Sequence, residues 1–323
     1  MKLGELRKLS QAIQNNGAKD IQTFVQEYIR ALGMDPDALY QELEMTSRYV
    51  DTHWDSSASN AHIQLHSHTF YELLYCCNSC GAEYLVGTER YRLQQGDVVL
   101  VPPGVSHRPL LPEPMEAPYD RYVLWLSPEF MEGYAALFFD PFVGRQARTS
   151  MLRTQGTRWE YLGDLFRKGV REAERQKEGW EAAVVGNTIT LLTQIKRALS
   201  DDSTGLMAAE KPELLDRIMA YVEENYAEPI NISVLAKHFF VSSSTVSHLF
   251  QQKMNVSFYR YVTQRRLIAA KTLISQGENL QDVAVNTGFQ DYSGFYRAFK
   301  QAFGISPRQY RSLQENANTL LIK

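Results

Sequence analysis

"NISVLAKHFFVSSSTVSHLF" (residues 231–250) and "NLQDVAVNTGFQDYSGFYRAF" (residues 279–299) open on nearly the same six residues, 48 positions apart. Asn231 matches Asn279 and Ala236 matches Ala284; after a one-residue slip Phe250 matches Phe299, Ser257 matches Ser306 and Tyr261 matches Tyr310. Such an echo marks one structural unit used twice. In the first copy Asn231 is placed to cap a helix whose apolar positions Ile232, Leu235, Ala236 and Phe239 recur at helical spacing. The pattern breaks at Val241-Ser242, and Ser242 can cap a second helix. There Val246, Leu249 and Phe250 face inward, while Ser243, Ser244, Ser247, His248 and Gln251 face out. The second copy repeats the plan: a helix from Asn279 through Val283, Ala284 and Val285, a turn at Thr287-Gly288-Phe289, and a longer helix from about Asp291 to Phe303. Tyr292, Ser293, Tyr296, Arg297 and Lys300 are its outward candidates. Two short helices around a tight turn, the second with a polar outer face, is the layout of a helix-turn-helix, whose second helix enters the DNA major groove. Between the copies, residues 257–275 have the helix formers and apolar spacing of one long helix that fixes the separation of two readers.

The charge distribution agrees. The chain of 323 residues carries 34 Lys+Arg against 37 Asp+Glu, yet Ile230–Arg311 holds ten basic residues against three acids, so this segment is +7 and the remainder −10. A basic segment on an acidic protein suggests a polyanionic partner for that segment alone. The length allows two or three domains. No run of about 18 apolar residues is present to span a bilayer, and MKLGELRKLS at the N-terminus lacks the apolar core of a signal peptide. A cytoplasmic location without a membrane partner is expected.

Residues 212–312 resemble the AraC/XylS-type DNA-binding domain of bacterial transcription regulators. "GFQDYSGFYRAFKQAFGISPRQYR" (288–311) carries the family's Gly-Phe, Phe-Lys, Phe-Gly, Ser-Pro and Tyr-Arg positions, and "RRLIAAKTLI" (265–274) matches its linker helix. Two positions depart from the pattern: Asn255, where the family usually has Gly, and Phe240 in the first turn, often a smaller or polar residue. The resemblance implies base-reading places at Ser243, Ser244, Ser247 and His248 in the first unit and at Tyr292, Ser293 and Arg297 in the second. Arg297 is the best candidate for guanine, since its planar fork can bond O6 and N7 together.

The acidic N-terminal part reads as β-structure. Residues 62–110 are rich in β-formers with turn signals at Val86-Gly87-Thr88 and Gln95-Gly96-Asp97. They hold His66-x-His68-x-x-x-Glu72, then Gly96 followed by Pro102-x-Gly104-x-x-His107, a pair of motifs that resembles the cupin barrel, a double-sheet jelly roll (double-stranded β-helix). In cupin enzymes these positions hold a metal; in regulatory cupins fused to this DNA-binding domain the same pattern often lines a metal-free pocket for an organic effector. His66, His68, Glu72 and His107 are therefore effector-binding candidates and, as the alternative, ligands for a divalent ion. Cys76, Cys77 and Cys80 in CCNSC are too few for a disulfide framework, and the Cys77-x-x-Cys80 spacing leaves a thiol sensor as a lesser alternative to small apolar strand residues.

The expected architecture is α+β and multidomain: a helical extension over 1–50, a cupin-like barrel over 51–150, a helical segment over 151–200, a linker over 201–212, and an all-α domain over 213–323 with two helix-turn-helix units joined by a long helix. Within the helical segment, Leu162, Leu165, Phe166 and Val170, then Val184, Val185, Ile189, Leu192 and Ile195, fit two amphipathic helices broken near Glu178-Gly179. The resemblance implies that they pack on the barrel and pair two protomers. The expected function is sequence-specific transcription regulation, as an activator that engages RNA polymerase, controlled by a sugar or related carbon-source metabolite, without a cofactor. The alternatives are a metal- or redox-responsive regulator and a metal-dependent cupin enzyme carrying a DNA-binding tail.

Overall fold

In the computed structural model, residues 45–58, 65–112, 114–137, 151–201, 205–206, 212–254 and 256–312 are described. They fall into two compact units, one built mainly from Ser47–Arg217 and the other mainly from Ile218–Gln252 and Val256 onward. The expected helical extension lies outside the described residues up to 44, as does Asn255.

The first unit contains two antiparallel sheets. Its strands are β1 (Val50–Ser57), β2 (Tyr71–Cys76), β3 (Glu83–Val86), β4 (Glu89–Arg92), β5 (Asp97–Val101), β6 (His107–Leu110) and β7 (Tyr119–Leu126), followed by helix α1 (Pro128–Leu137), β8 (Met151–Arg153), helices α2 (Leu162–Arg175) and α3 (Trp180–Leu199), and β9 (Gly205–Leu206). The larger sheet has the order β1-β7-β2-β5-β8-β9 and the smaller β4-β3-β6. The predicted turn at Gly87 closes β3 onto β4, with Val86 paired to Glu89 and Gly87 at φ +60°.

Strand alternation gives the larger sheet two different faces. Leu73 and Tyr75 of β2, Val98 and Leu100 of β5, and Leu124 and Leu126 of β7 form one apolar face, and α2 and α3 cover it with Leu162, Phe166, Ala173, Val184, Leu191, Leu192 and Ile195. Leu165, Val185 and Ile189 are half-buried against the same cluster. The apolar stripes that define these two helices therefore pack within the chain. The residues between, Glu72 on β2 and Tyr119, Arg121 and Trp125 on β7, belong to the opposite face.

Two boundaries differ from the sequence reading. Met151–Arg153, assigned to the helical segment, is a strand paired with β5, so that segment begins its helices only at Leu162. Within the expected linker, Gly205 and Leu206 pair with Arg153 and Leu152 and extend the sheet. Backbone pairing needs no apolar side chain, so a polar composition did not reveal it.

Helices α4 (Leu214–Asn225), α5 (Ile232–His238), α6 (Ser243–Met254), α7 (Phe258–Ser275), α8 (Leu280–Asn286) and α9 (Tyr292–Phe303) follow. The caps fall where the sequence placed them: the Asn231 side chain accepts the Val234 N–H (2.9 Å), Ser242 Oγ the Thr245 N–H (3.0 Å) and Asn279 the Gln281 N–H (2.9 Å). The repeat persists in the packing. Phe250 meets Tyr261 at a ring separation of 5.1 Å, and their counterparts Phe299 and Tyr310 meet at 5.7 Å. The second core gathers Leu267, Ala270 and Ile274 of α7 with Val283, Ala284, Phe295 and Phe299, so the long helix is the wall of the second unit as well as its spacer.

Glycine chemistry separates two helix positions. A methyl on Gly163 of α2 would overlap the Tyr75 hydroxyl, whereas one on Gly186 of α3 would meet nothing within 4 Å. Gly→Ala inside a helix ordinarily stabilises by about 1 kcal/mol. We expect Gly186→Ala to raise the melting temperature and Gly163→Ala to lower it, measured by thermal unfolding; an increase for both would refute the close packing of α2 on β2.

Candidate functional site

The barrel's interior face converges on Glu72. Its backbone sits in mid-sheet between Val101 of β5 and Trp125 of β7, and its side chain is 5% exposed. Trp125, directly opposite, donates its indole N–H to Glu72 Oε1 at 2.7 Å. The second oxygen, Oε2, faces His107 Nε2 at 3.0 Å and His68 Nε2 at 3.6 Å. His66 completes the group: ligand atoms of His66, Glu72 and His107 all lie within 4.8 Å of one another.

The two motifs are tied together by backbone. His66 and His107 exchange a pair of hydrogen bonds (3.2 and 2.9 Å), and the Gly104 N–H donates to the His68 carbonyl at 2.8 Å. Gly104 adopts φ +76°, the left-handed conformation that glycine allows, and this turns the Pro-x-Gly-x-x-His loop back toward the His-x-His segment. All four predicted residues therefore meet.

Tautomers follow from the partners. His68 Nδ1 lies 2.7 Å from the Phe70 carbonyl and His107 Nδ1 2.9 Å from the Val105 carbonyl. A carbonyl only accepts, so both Nδ1 atoms carry hydrogen and, in the neutral rings, both Nε2 lone pairs point at the carboxylate. Neither Nε2 nor Glu72 Oε2 has a hydrogen-bond partner. With both rings in that neutral form three acceptors converge, and a proton, a cation or a donating ligand hydroxyl satisfies them. Burial pushes the Glu72 carboxyl up, but a proton held on the facing Nε2 of His107 or His68 outweighs this and keeps the carboxyl well below its usual range. Burial also lowers His68, against the opposing pull of Glu72.

Sequence reasoning missed the rest of this interior. The hydroxyls of Tyr119 and Ser106 are buried without partners. Burial, with the Glu72 charge adding to it, pushes the Tyr84 phenol far above its ordinary value. Arg121 is paired with Asp55 and donates to Ser57 Oγ at 3.0 Å. The alternation Tyr119, Arg121, Val123, Trp125 was a legible sign that one face of β7 is shared by polar and aromatic groups.

The cysteines argue against thiol chemistry. Cys76, Cys77 and Cys80 are free, and the first and last are buried. Burial pushes the Cys76 thiol up and that of Cys77 to about 11, whereas a redox sensor needs an accessible thiolate.

In the second unit, Ser243, Ser244, Ser247, His248 and Gln251 of α6 are exposed while Val246 and Phe250 are fully buried. On α9, Ser293, Tyr296, Arg297 and Lys300 are exposed, but Tyr292 is half-buried with its ring 5.9 Å from Phe295, so it also belongs to the core. The segment's basic residues divide. Arg265 is paired with Glu223, Arg266 donates to the Tyr226 carbonyl (2.7 Å), and Arg311 to that of Glu278. Lys271, 5% exposed, lies over the rings of Phe303 (5.4 Å) and Tyr310 (5.7 Å). A bare charge count thus overstated the cations facing outward. Among the described residues no helix is long and apolar enough to cross a membrane.

The barrel cluster makes stability depend on pH in one direction. The unfolded His68 ring takes a proton near its ordinary 6.5 and the folded ring only at lower pH, so stability falls as pH drops through 6.5. The unfolded Glu72 carboxyl protonates near 4.5 and the folded one lower, which adds to the loss below 4.5. Melting temperatures recorded from neutral pH downward should decline through both windows, and the upper decline should flatten in His68→Gln; an unchanged upper slope in that variant would count against the buried neutral ring.

Two family models match the chain. The AraC-like ligand binding domain matches residues 54–192, and a helix-turn-helix domain matches residues 235–312. An uncharacterized HTH-type transcriptional regulator, YfiF of Bacillus subtilis, is 23% identical over 85% of this chain and 87% of its own. The HTH-type transcriptional activator RhaS of Salmonella arizonae is 26% identical over 76% of this chain and 86% of its own. Among solved structures, ToxT from Vibrio cholerae aligns over 83% of this chain and 99% of its own, at 12% identity and a TM-score of 0.33. The two matched domains follow one another as the sheet unit and the helix-turn-helix unit do, and the chain belongs to the AraC family of transcription regulators, with a cupin-like ligand-binding domain ahead of its DNA-binding domain.

Proposed function

We propose that this regulator is a cytoplasmic activator that reads DNA with α6 and α9 and is controlled by a polyhydroxylated metabolite, a sugar or a close relative, bound in the barrel. The observation that carries the reading is the convergence of buried acceptors on Glu72 Oε2, which a ligand offering two or more hydroxyl donors would satisfy. The unpartnered hydroxyls of Tyr119 and Ser106 favour the same chemistry. Activation, and with it contact to RNA polymerase, is supported by the description of the RhaS relatives as activators. Pairing into a homodimer would use the outer faces of α2 and α3, since their apolar stripes cover the sheet. An effector changes DNA binding only by preferring one arrangement of the protein over another.

A panel of sugars and sugar acids tested by thermal shift should contain a ligand that raises the melting temperature of the wild type but not of Glu72→Gln or His107→Ala. A panel that shifts none, on folded protein, would remove this effector class. For DNA, Arg297→Ala should cost about 1–3 kcal/mol and relax preference at one base pair. An equal loss on every sequence would assign Arg297 to phosphate.

A second reading rests on the same cluster. His66, Glu72 and His107, with His68 beside them, fit a divalent ion: the Nδ1 atoms of His68 and His107 are anchored on carbonyls and their Nε2 atoms point at the carboxylate, the outer-shell pattern of metal-bound imidazoles. A metal there would offer an oxygen-bearing effector a coordination site. Elemental analysis of protein purified without chelator should then find about one ion per chain in the wild type and none in His107→Ala. A metal-free, folded wild type would exclude it.

A further inference from the structure

Phe240 stands in the turn between α5 and α6 with φ +55°, a conformation in which a bulky residue is an outlier. The internal repeat shows what the turn's backbone favours. Val241 N–H donates to Ala236 O (2.9 Å) and Phe240 N–H to Lys237 O (3.3 Å); in the second unit Phe289 donates to Ala284 O (3.0 Å) and Gly288 to Val285 O (2.9 Å). Phe240 is therefore the counterpart of Gly288, which has φ +81°. Gly288 has a steric reason as well, because a Cβ there would lie 2.7 Å from the Ala227 carbonyl oxygen and 2.8 Å from that of Tyr226.

At Phe240 no such wall exists, and the side chain is 95% exposed. Among the described residues nothing buries the phenyl ring to compensate for the unfavourable backbone, and strain of this kind gathers at functional positions. The position says what the ring would meet. Phe240 lies two residues before Ser242, whose Oγ caps α6, and the exposed polar face of α6 starts immediately after it. A reading helix enters the major groove by its N-terminal end, which brings the preceding turn against the groove wall of deoxyribose and phosphate. The outward face of α6 carries no Lys or Arg before Lys253, so along the helix itself few cations are placed to hold the backbone.

We propose that Phe240 is a DNA-contacting residue, its ring laid on the deoxyribose edge of the groove that α6 enters. This rests on the reading of α6 as a groove-entering helix. The contact is apolar and independent of base identity, so it adds affinity without releasing counterions.

The test uses the full chain and two duplexes, one recovered by selection on the wild-type protein and one scrambled to the same composition. Phe240→Gly and Phe240→Asn relieve the backbone and remove the ring. Both should bind each duplex about fivefold more weakly, with the salt dependence of the affinity unchanged and the melting temperature not lowered. Phe240→Tyr keeps the aromatic face and should bind as the wild type does. Wild-type affinity in the Gly and Asn variants, with Arg297→Ala weakened, overturns the contact and leaves the reading of α9 intact; if transcription also falls in those two variants, the ring faces a protein instead. A change in salt dependence, or a Tyr variant as weak as the Gly variant, likewise overturns it. No effect from any Phe240 variant or from Arg297→Ala would remove the assignment of reading surfaces on which the inference stands.

Discussion

The Glu72 carboxylate, 5% exposed in the middle of a six-stranded sheet, is the constraint around which the sensing unit is organised. A buried charge is tolerated only when its oxygens are engaged. Trp125 engages one from the facing strand, and that fixes the β2–β7 register, because a slip by one residue would turn the indole to the helix-covered face. The other oxygen faces the His107 and His68 imidazoles, whose segments the His66–His107 bridge and the Gly104 turn bring together, and a proton, a cation or a ligand donor engages it there. The same alternation that aims Glu72 inward aims Leu73 and Tyr75 outward, where α2 and α3 bury them. The polar interior and the apolar outer layer are two consequences of one strand.

The reading unit is organised by packing instead. α7 carries Phe258, Tyr261 and Val262 at its beginning and Leu267, Ala270 and Ile274 towards its end, and each cluster buries one helix-turn-helix. Equivalent details recur at both ends: Ser257 Oγ accepts the Arg260 N–H at 3.3 Å, and Ser306 Oγ accepts the Gln309 N–H at 3.2 Å. Hydrophobic spacing and capping chemistry act over a few residues, so these features were legible before any coordinates. The four-residue barrel cluster was legible for a different reason, through motifs whose spacing carries the family's geometry.

What the sequence did not show depends on contacts between residues far apart. Trp125 belongs with Glu72 only because β7 pairs with β2, and no local pattern announces that pairing. Arg265, Arg266, Lys271 and Arg311 looked like part of a surface for a polyanion, yet carbonyls, a carboxylate and two aromatic rings hold them within the fold. Gly205 and Leu206 join the sheet by backbone alone. Local chemistry sets the elements, and long-range pairing decides which side chains remain available.

The walls around Gly288 have a consequence for how the two halves of the repeat can change. A duplication begins with equal copies, but here one turn is closed in by the Tyr226 and Ala227 carbonyls and admits no side chain, while its counterpart at Phe240 opens to solvent. Substitutions can accumulate in the first turn without loss of the core, whereas the second stays fixed by sterics. The two turns therefore differ in what they admit: a side chain at position 240 projects into solvent, whereas one at position 288 would have to displace the backbone at Tyr226 and Ala227.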